Sequence, residues 1–183
     1  MEKGFEKTDG GLIRIAITGP ESTGKSQLAA QLADHYHTLF VPEFARSYIA
    51  GLGREYDYGD LEIIARGQIQ EQKKAEATAE RIIFCDTELT VIKIWAEHKF
   101  QKCPLWVSEN IHRQNYDLYL LCNIDLPWEY DPLREHPHLR QFFFNWYYRE
   151  LKNRKVNFEI IEGTGNKRID NARQIIERML KKT

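Results

Sequence analysis

From residue 12 the chain runs Leu12-Ile13-Arg14-Ile15-Ala16-Ile17-Thr18, mostly apolar and β-branched, the pattern of a strand buried on both faces. The period then changes. After a break from Gly19 to Gly24, Leu28, Leu32 and Tyr36 recur at helical spacing from Lys25 onward, with Ala29 and Ala33 on the same face. Leu39-Phe40-Val41, closed by Pro42, predicts a second short strand. Asp60 is the expected N-cap of a long helix whose stripe is Leu61, Ile64, Ala65, Gln68 and Gln72. Ile82-Ile83-Phe84-Cys85 predicts a third buried strand ending at Asp86, and a helix follows with Leu89, Ile92 and Trp95 on one side. Tyr116 to Cys122 reads as a fourth strand, followed by an irregular run to His138 that carries Pro127, Pro132 and Pro137. Leu139, Phe142, Phe143, Trp146 and Tyr147 form an aromatic helical stripe, assigned mostly to the core. Phe158 to Ile161 is the fifth strand and Ile169 to Lys181 a closing amphipathic helix. Five strands alternating with helices predict an α/β fold with right-handed parallel crossovers. Ligands of such sheets sit beyond the carboxyl ends of the strands.

Composition narrows the class. The 183 residues suit one domain, read as a polar leader over 1–11 and a single domain over 12–183. Hydrophobic residues at 42% and charged residues at 29% match a globular protein. A formal net charge of -1 argues against a duplex-binding surface, while leaving room for a locally basic pocket. No apolar stretch is long enough to span a bilayer, and the leader lacks the apolar centre of a signal peptide. Cys85, Cys103 and Cys122 fit neither a disulfide framework nor a zinc site and read as reduced thiols. The expectation is a cytoplasmic protein without nucleic-acid or membrane partners; a homo-oligomer stays open.

The strongest chemical signal is Gly19-Pro20-Glu21-Ser22-Thr23-Gly24-Lys25-Ser26, which matches G-x-x-x-x-G-K-[ST] between a buried strand and an amphipathic helix. The glycines let successive N–H groups turn inward as an anion nest, and the helix adds its positive dipole end. Lys25 supplies a point charge for β- and γ-phosphates, and the Ser26 hydroxyl is a hard oxygen suited to Mg²⁺.

The other strand ends are more open. Glu43 follows the second strand: it either orients or deprotonates an acceptor hydroxyl, with Arg46 holding a phosphate or steering it, or the two form a solvated pair at a helix start. Asp86 follows a wholly apolar strand, a place for a Mg²⁺-holding carboxylate or a base, whereas Thr87 and Glu88 read as a helix cap and its first-turn acid. Residues 123–140 read as a lid in which Arg134 or Arg140 neutralises charge on a transferred phosphoryl group. Trp128 either stacks on a flat ring or plugs the core, and Gly163-Thr164-Gly165-Asn166 either passes a nucleotide base or is only a turn. His35 with His37 and His136 with His138 lack further ligands at metal-binding spacing and read as surface residues, as does Lys152 to Lys155.

With these residues in view, the chain resembles the ribosylnicotinamide kinase domain of the NadR family over most of its length, from about Ile13 to the last helix. The resemblance rests on Glu21-Ser22-Thr23 in the phosphate loop, Glu43-Phe44-Ala45-Arg46, Asp86-Thr87-Glu88, and Pro127-Trp128 with Asp131 and Arg134. It implies a three-layer P-loop kinase fold with parallel strands in the order 2-3-1-4-5. It also implies phosphoryl transfer from ATP with Mg²⁺ to the 5′-hydroxyl of nicotinamide riboside. Lys25, Asp86, Glu43 and Arg134 would then serve the chemistry, and residues 19 and 21–26 with Arg134 and Arg140 would hold the nucleotide. Glu43, Arg46, Gln68, Asp86 and Trp128 would line the acceptor pocket, and Ser26 with Asp86 would hold the metal. The full-length relatives add an adenylyltransferase domain with an H-x-G-H signature; this sequence contains none, so adenylyl transfer and DNA binding are not expected of it. The remaining alternatives are a kinase of another nucleoside and a non-catalytic ATP-binding regulatory module.

Overall fold

A computed structural model describes residues 11–131, 134 and 136–181. The leader, Gly11 excepted, and lid residues Pro132, Leu133 and Glu135 lie outside the described residues. Strands β1 (Ile13–Thr18), β2 (Phe40–Val41), β3 (Ile82–Asp86), β4 (Leu118–Cys122) and β5 (Phe158–Ile161) form one parallel sheet in the order β2-β3-β1-β4-β5. This is the order implied by the resemblance. Between them lie helices α1 (Lys25–His35), α2 (Phe44–Ala50), α3 (Tyr58–Glu76), α4 (Leu89–Phe100), α5 (Leu105–Asn110), α6 (Arg140–Asn153) and α7 (Gly165–Leu180).

Successive residues of a strand face opposite sides, and the central strands use both. Ile15, Ile17, Phe84, Leu118 and Leu120 pack against Leu28 and Leu32 of α1 and Ile176 of α7. Ala16, Ile83, Cys85, Tyr119 and Leu121 pack on the other side against Ile94 of α4 and Phe143, Tyr147 and Leu151 of α6. A third cluster, with Leu61 and Ile64 of α3, Leu89 and Ile92 of α4, and Val107 of α5, seats α2 beside the sheet. Among the described residues no helix is long and apolar enough to cross a membrane.

The structure corrects three expectations and adds one helix. Asp57, not Asp60, caps α3: its side chain accepts from Gly59 N and Asp60 N, while Asp60 reaches back to the Asp57 N–H and completes a capping box. Asp60 is nonetheless buried, because Arg54 and Tyr48 also bond its carboxylate. The aromatic stripe on α6 divides, with Phe143 and Tyr147 buried but Leu139 and Phe142 exposed at 38% and 46%. The last helix starts at Gly165 rather than Ile169. Finally, α5 was not anticipated; at six residues it is too short to display a period.

Candidate active site

The phosphate loop leaves the carboxyl end of β1 through backbone that suits glycine. Gly19 has φ +131 and a Cβ there would lie 3.0 Å from Cys122 O; Gly24 has φ +73 and a Cβ would lie 2.8 Å from Leu126 Cδ1. Ser22 also has a positive φ, 55. Gly24 occupies the N-cap of α1 without a capping side chain, and the first turn contains no acid. The helix start is therefore left for an external anion. The loop braces itself: Thr23 Oγ1 and Lys25 Nζ both donate to Pro20 O, at 2.7 and 2.8 Å.

Beside it, at the end of β2, Glu43 is the N-cap of α2. Two residues of α3 fix this helix start. Gly67 lies so close to the Phe44 ring that a Cβ would collide with it. Gln68 accepts from Phe44 N at 2.8 Å and donates to Pro42 O and Asp86 O at 3.3 and 3.5 Å. Gln68, expected to line the acceptor pocket, is 2% exposed with both ends of its amide on main chain. Its part is to hold the ends of β2 and β3, and so Glu43 and Asp86, at a set spacing.

The two carboxylates share one electrostatic environment. Solvent reaches 23% of the Glu43 side chain, yet protein crowds the rest. Desolvation raises its pKa above the usual carboxylate range; Lys25 opposes this, Asp86 adds to it, and Arg46, 3.4 Å away, opposes it again. Asp86 is 1% exposed, and burial likewise raises its pKa against the pull of the Ser26 hydroxyl, Lys25 and Arg46. Its Oδ1 has no hydrogen-bond partner. A buried carboxylate oxygen left open next to a hydroxyl on the phosphate loop fits a hard divalent cation such as Mg²⁺, which Asp86 and Ser26 would hold. Glu88, next in line, is itself the cap of α4: it accepts from Thr90 N at 2.8 Å, Thr90 Oγ1 at 2.7 Å and Thr18 Oγ1 at 3.0 Å. Thr87 takes the left-handed φ of 73 that this turn requires.

The lid segment lies folded on the loop. Ser22 Oγ accepts from Glu129 N at 2.8 Å, and Glu21 Oε1 accepts from His136 N at 2.7 Å. Arg134 donates to Glu129 O at 2.5 Å and Ser22 Oγ at 3.3 Å, and Arg140 to Leu126 O and Ser22 O at 2.8 and 3.2 Å. Both lid arginines thus meet the phosphate loop, and burial lowers the Arg140 pKa. Arg46 Nη1 bonds Asp131 at 2.8 Å, so Glu43, Arg46 and Asp131 form a line of charges from α2 to the lid. The Trp128 indole N–H is buried without a partner, and its ring lies 6.4 Å from Tyr130. The structure therefore brings Lys25, Ser26, Glu43, Arg46, Asp86, Arg134 and Arg140 to the carboxyl ends of β1, β2, β3 and β4. Sequence reasoning missed Arg168 and Asp125, which join at 2.7 Å beneath the loop. A faint signal existed: Arg168 stands near the start of a helix with no acid in its first turn, where the dipole disfavours a cation.

The chain is 29% identical over 150 residues to the trifunctional NAD biosynthesis/regulator protein NadR of Salmonella typhimurium, covering 79% of this chain and 37% of that protein. It thus spans little more than a third of that relative. A NadR protein solved with NAD and AMP-PNP, and again with NR, superposes with a TM-score of 0.76 in both cases, at 21% and 19% identity. These alignments cover 91% of this chain and 49% of the other. Thymidylate kinase from Ehrlichia chaffeensis shares the fold, with TM-score 0.63 and 12% identity over 93% of this chain and all of that one. Residues 14–168 match the AAA domain family AAA_28, and the chain belongs to that family of P-loop domains.

Proposed function

We propose that the chain transfers the γ-phosphoryl group of ATP to a ribosyl hydroxyl, with the 5′-hydroxyl of nicotinamide riboside as the preferred acceptor. The observation that carries this reading is the convergence of Glu43 and Asp86, from neighbouring strand ends, on the field of Lys25. A nucleotide-binding loop alone needs no such second carboxylate; a phosphoryl acceptor does.

In this scheme Lys25 and the loop amides hold the β- and γ-phosphates, and Asp86 with Ser26 would hold Mg²⁺, which neutralises phosphate charge when bound. Glu43 orients the acceptor hydroxyl and takes its proton as the new O–P bond forms and the bond to the β-phosphate oxygen breaks, releasing ADP. A carboxyl with a raised pKa is a better base near neutrality than an ordinary one. Arg134 and Arg140 stabilise the transferring group from the lid, and most of the rate enhancement comes from positioning and electrostatics. Arg46 ties Glu43 to the lid through Asp131, and the half-buried Trp128 offers a flat face to the acceptor's ring. Glu43, Asp86 and Asp131 stand beside Lys25 and Arg46 here, so carboxylates are at hand for the positive charge of a pyridinium nucleoside. The likeness to NadR, solved with NR and with an ATP analogue, supports both substrates.

A coupled assay over a nucleoside panel tests the proposal. Phosphorylation of nicotinamide riboside well above other nucleosides is expected. Turnover of a different nucleoside alone would reassign the acceptor, and tight ATP binding without any product would replace the kinase by a regulatory module.

A further inference from the structure

We infer that Arg168, oriented by Asp125, is a positioning residue that presets the phosphate loop for nucleotide; this rests on the nucleotide-binding part of the proposed function. Arg168 stands in the first turns of α7, 5% exposed, where both burial and the helix dipole oppose its charge. Its contacts offset that cost. Nη1 donates to Asp125 Oδ1 at 2.7 Å and Gly163 O at 3.0 Å; Nη2 donates to Thr23 O at 2.8 Å and Asn123 O at 3.3 Å. The other oxygen of Asp125 accepts from Gly163 N at 2.5 Å. One guanidinium–carboxylate pair thus ties together the loops that follow β1, β4 and β5.

The contact with Thr23 O has a specific consequence. A trans peptide carries its C=O and N–H in opposite directions, so fixing Thr23 O on Arg168 turns the Gly24 N–H away from it. Arg140 does the same one residue earlier through Ser22 O, which sets the Thr23 N–H. Two successive amide donors of the anion nest are therefore oriented by arginines outside the nest, before any ligand arrives. A planar fork with donors at fixed angles can hold Thr23 O and Asp125 at once; a lysine ammonium supplies the same charge without that geometry.

The test compares wild type with Arg168→Lys and Asp125→Asn, measuring by calorimetry the affinity for AMP-PNP with Mg²⁺ and for inorganic tripolyphosphate, alongside ligand-free thermal unfolding. Arg168→Lys is expected to weaken both ligands by about tenfold, as for loss of one charge-assisted hydrogen bond. Asp125→Asn, which keeps an acceptor, is expected to weaken both by a smaller factor and serves alone if the lysine variant does not fold. A purely structural role would lower the unfolding temperature and leave the affinity of the folded protein unchanged. Unchanged affinity for tripolyphosphate in the folded variants overturns the assignment. If the wild type binds no nucleotide, the proposed function fails and this inference with it; if it binds and the variants bind equally, only the role of Arg168 fails.

Discussion

A carboxylate stands near each end of the sheet, Glu76 half-buried at one and Asp86 buried at the other, and the two are treated in opposite ways. At the amino ends of the strands, Glu76 accepts from Arg14 Nε and Gln72 Nε2, both at 2.8 Å, and Tyr116 completes the group by donating to Gln72. Burial opposes the Glu76 charge, but these bonds outweigh it and hold the pKa below the usual value. At the carboxyl ends, Asp86 is more deeply buried, its pKa is raised, and one oxygen has no partner. The left-handed backbone at Gly19, Ser22, Gly24 and Thr87 gathers at this end too. An open, buried carboxylate oxygen beside the left-handed backbone of the phosphate loop marks this as the end built for a ligand.

Substitutions at the two ends should separate accordingly. The largest effect is expected for Lys25→Ala, with turnover down roughly 10³-fold or beyond and the circular dichroism spectrum unchanged; near-normal turnover would break the contrast. Glu43→Gln should lower kcat about 10²-fold or more. Because Glu43 acts ionised and its pKa is raised, wild-type kcat/KM should fall as pH drops through a value above the ordinary carboxylate range, and this limb should disappear in the variant. The smallest effects are on stability and have opposite signs. Glu76, with its lowered folded pKa, stabilises above its unfolded pKa and loses that contribution as pH falls through the folded value. Glu76→Gln should therefore cost about 1–2 kcal/mol at neutral pH, read as a Tm lowered by some 2–4 °C per kcal/mol. Asp86, raised by burial, favours folding only while protonated, so above its folded pKa Asp86→Asn should raise Tm even as it removes activity. A lower Tm for Asp86→Asn would show that the open carboxylate is not a source of strain.

The sequence conveys these two ends unequally. The central strands were legible because β1, β3 and β4 are largely apolar, with β3 and β4 buried along their whole length. The loop was legible because glycine, lysine and serine at fixed spacing encode backbone shape and charge directly. Glu43 and Asp86 could be located because each stands at the carboxyl end of a strand, yet their joint environment could not, since it brings together Lys25 of α1 and Arg46 of α2. Gln68 lay on the expected helix face, but a buried amide facing a ligand and one facing main chain read alike in sequence. Arg168 was harder still, because its partners Thr23 and Asp125 lie 145 and 43 residues away. The cap of α3 was misplaced because Asp57 and Asp60 are both competent caps and act together.

The seat of Phe44 on Gly67 has an evolutionary corollary. A lone hydrogen atom is the shim between the helix that presents Glu43 and the one beneath it. A methyl there would collide with the Phe44 ring and force it, at the start of the presenting helix, to shift, and displacements of about 1 Å already carry heavy kinetic penalties. Position 67 is thus a place where a lineage could go silent while still producing a well-folded protein.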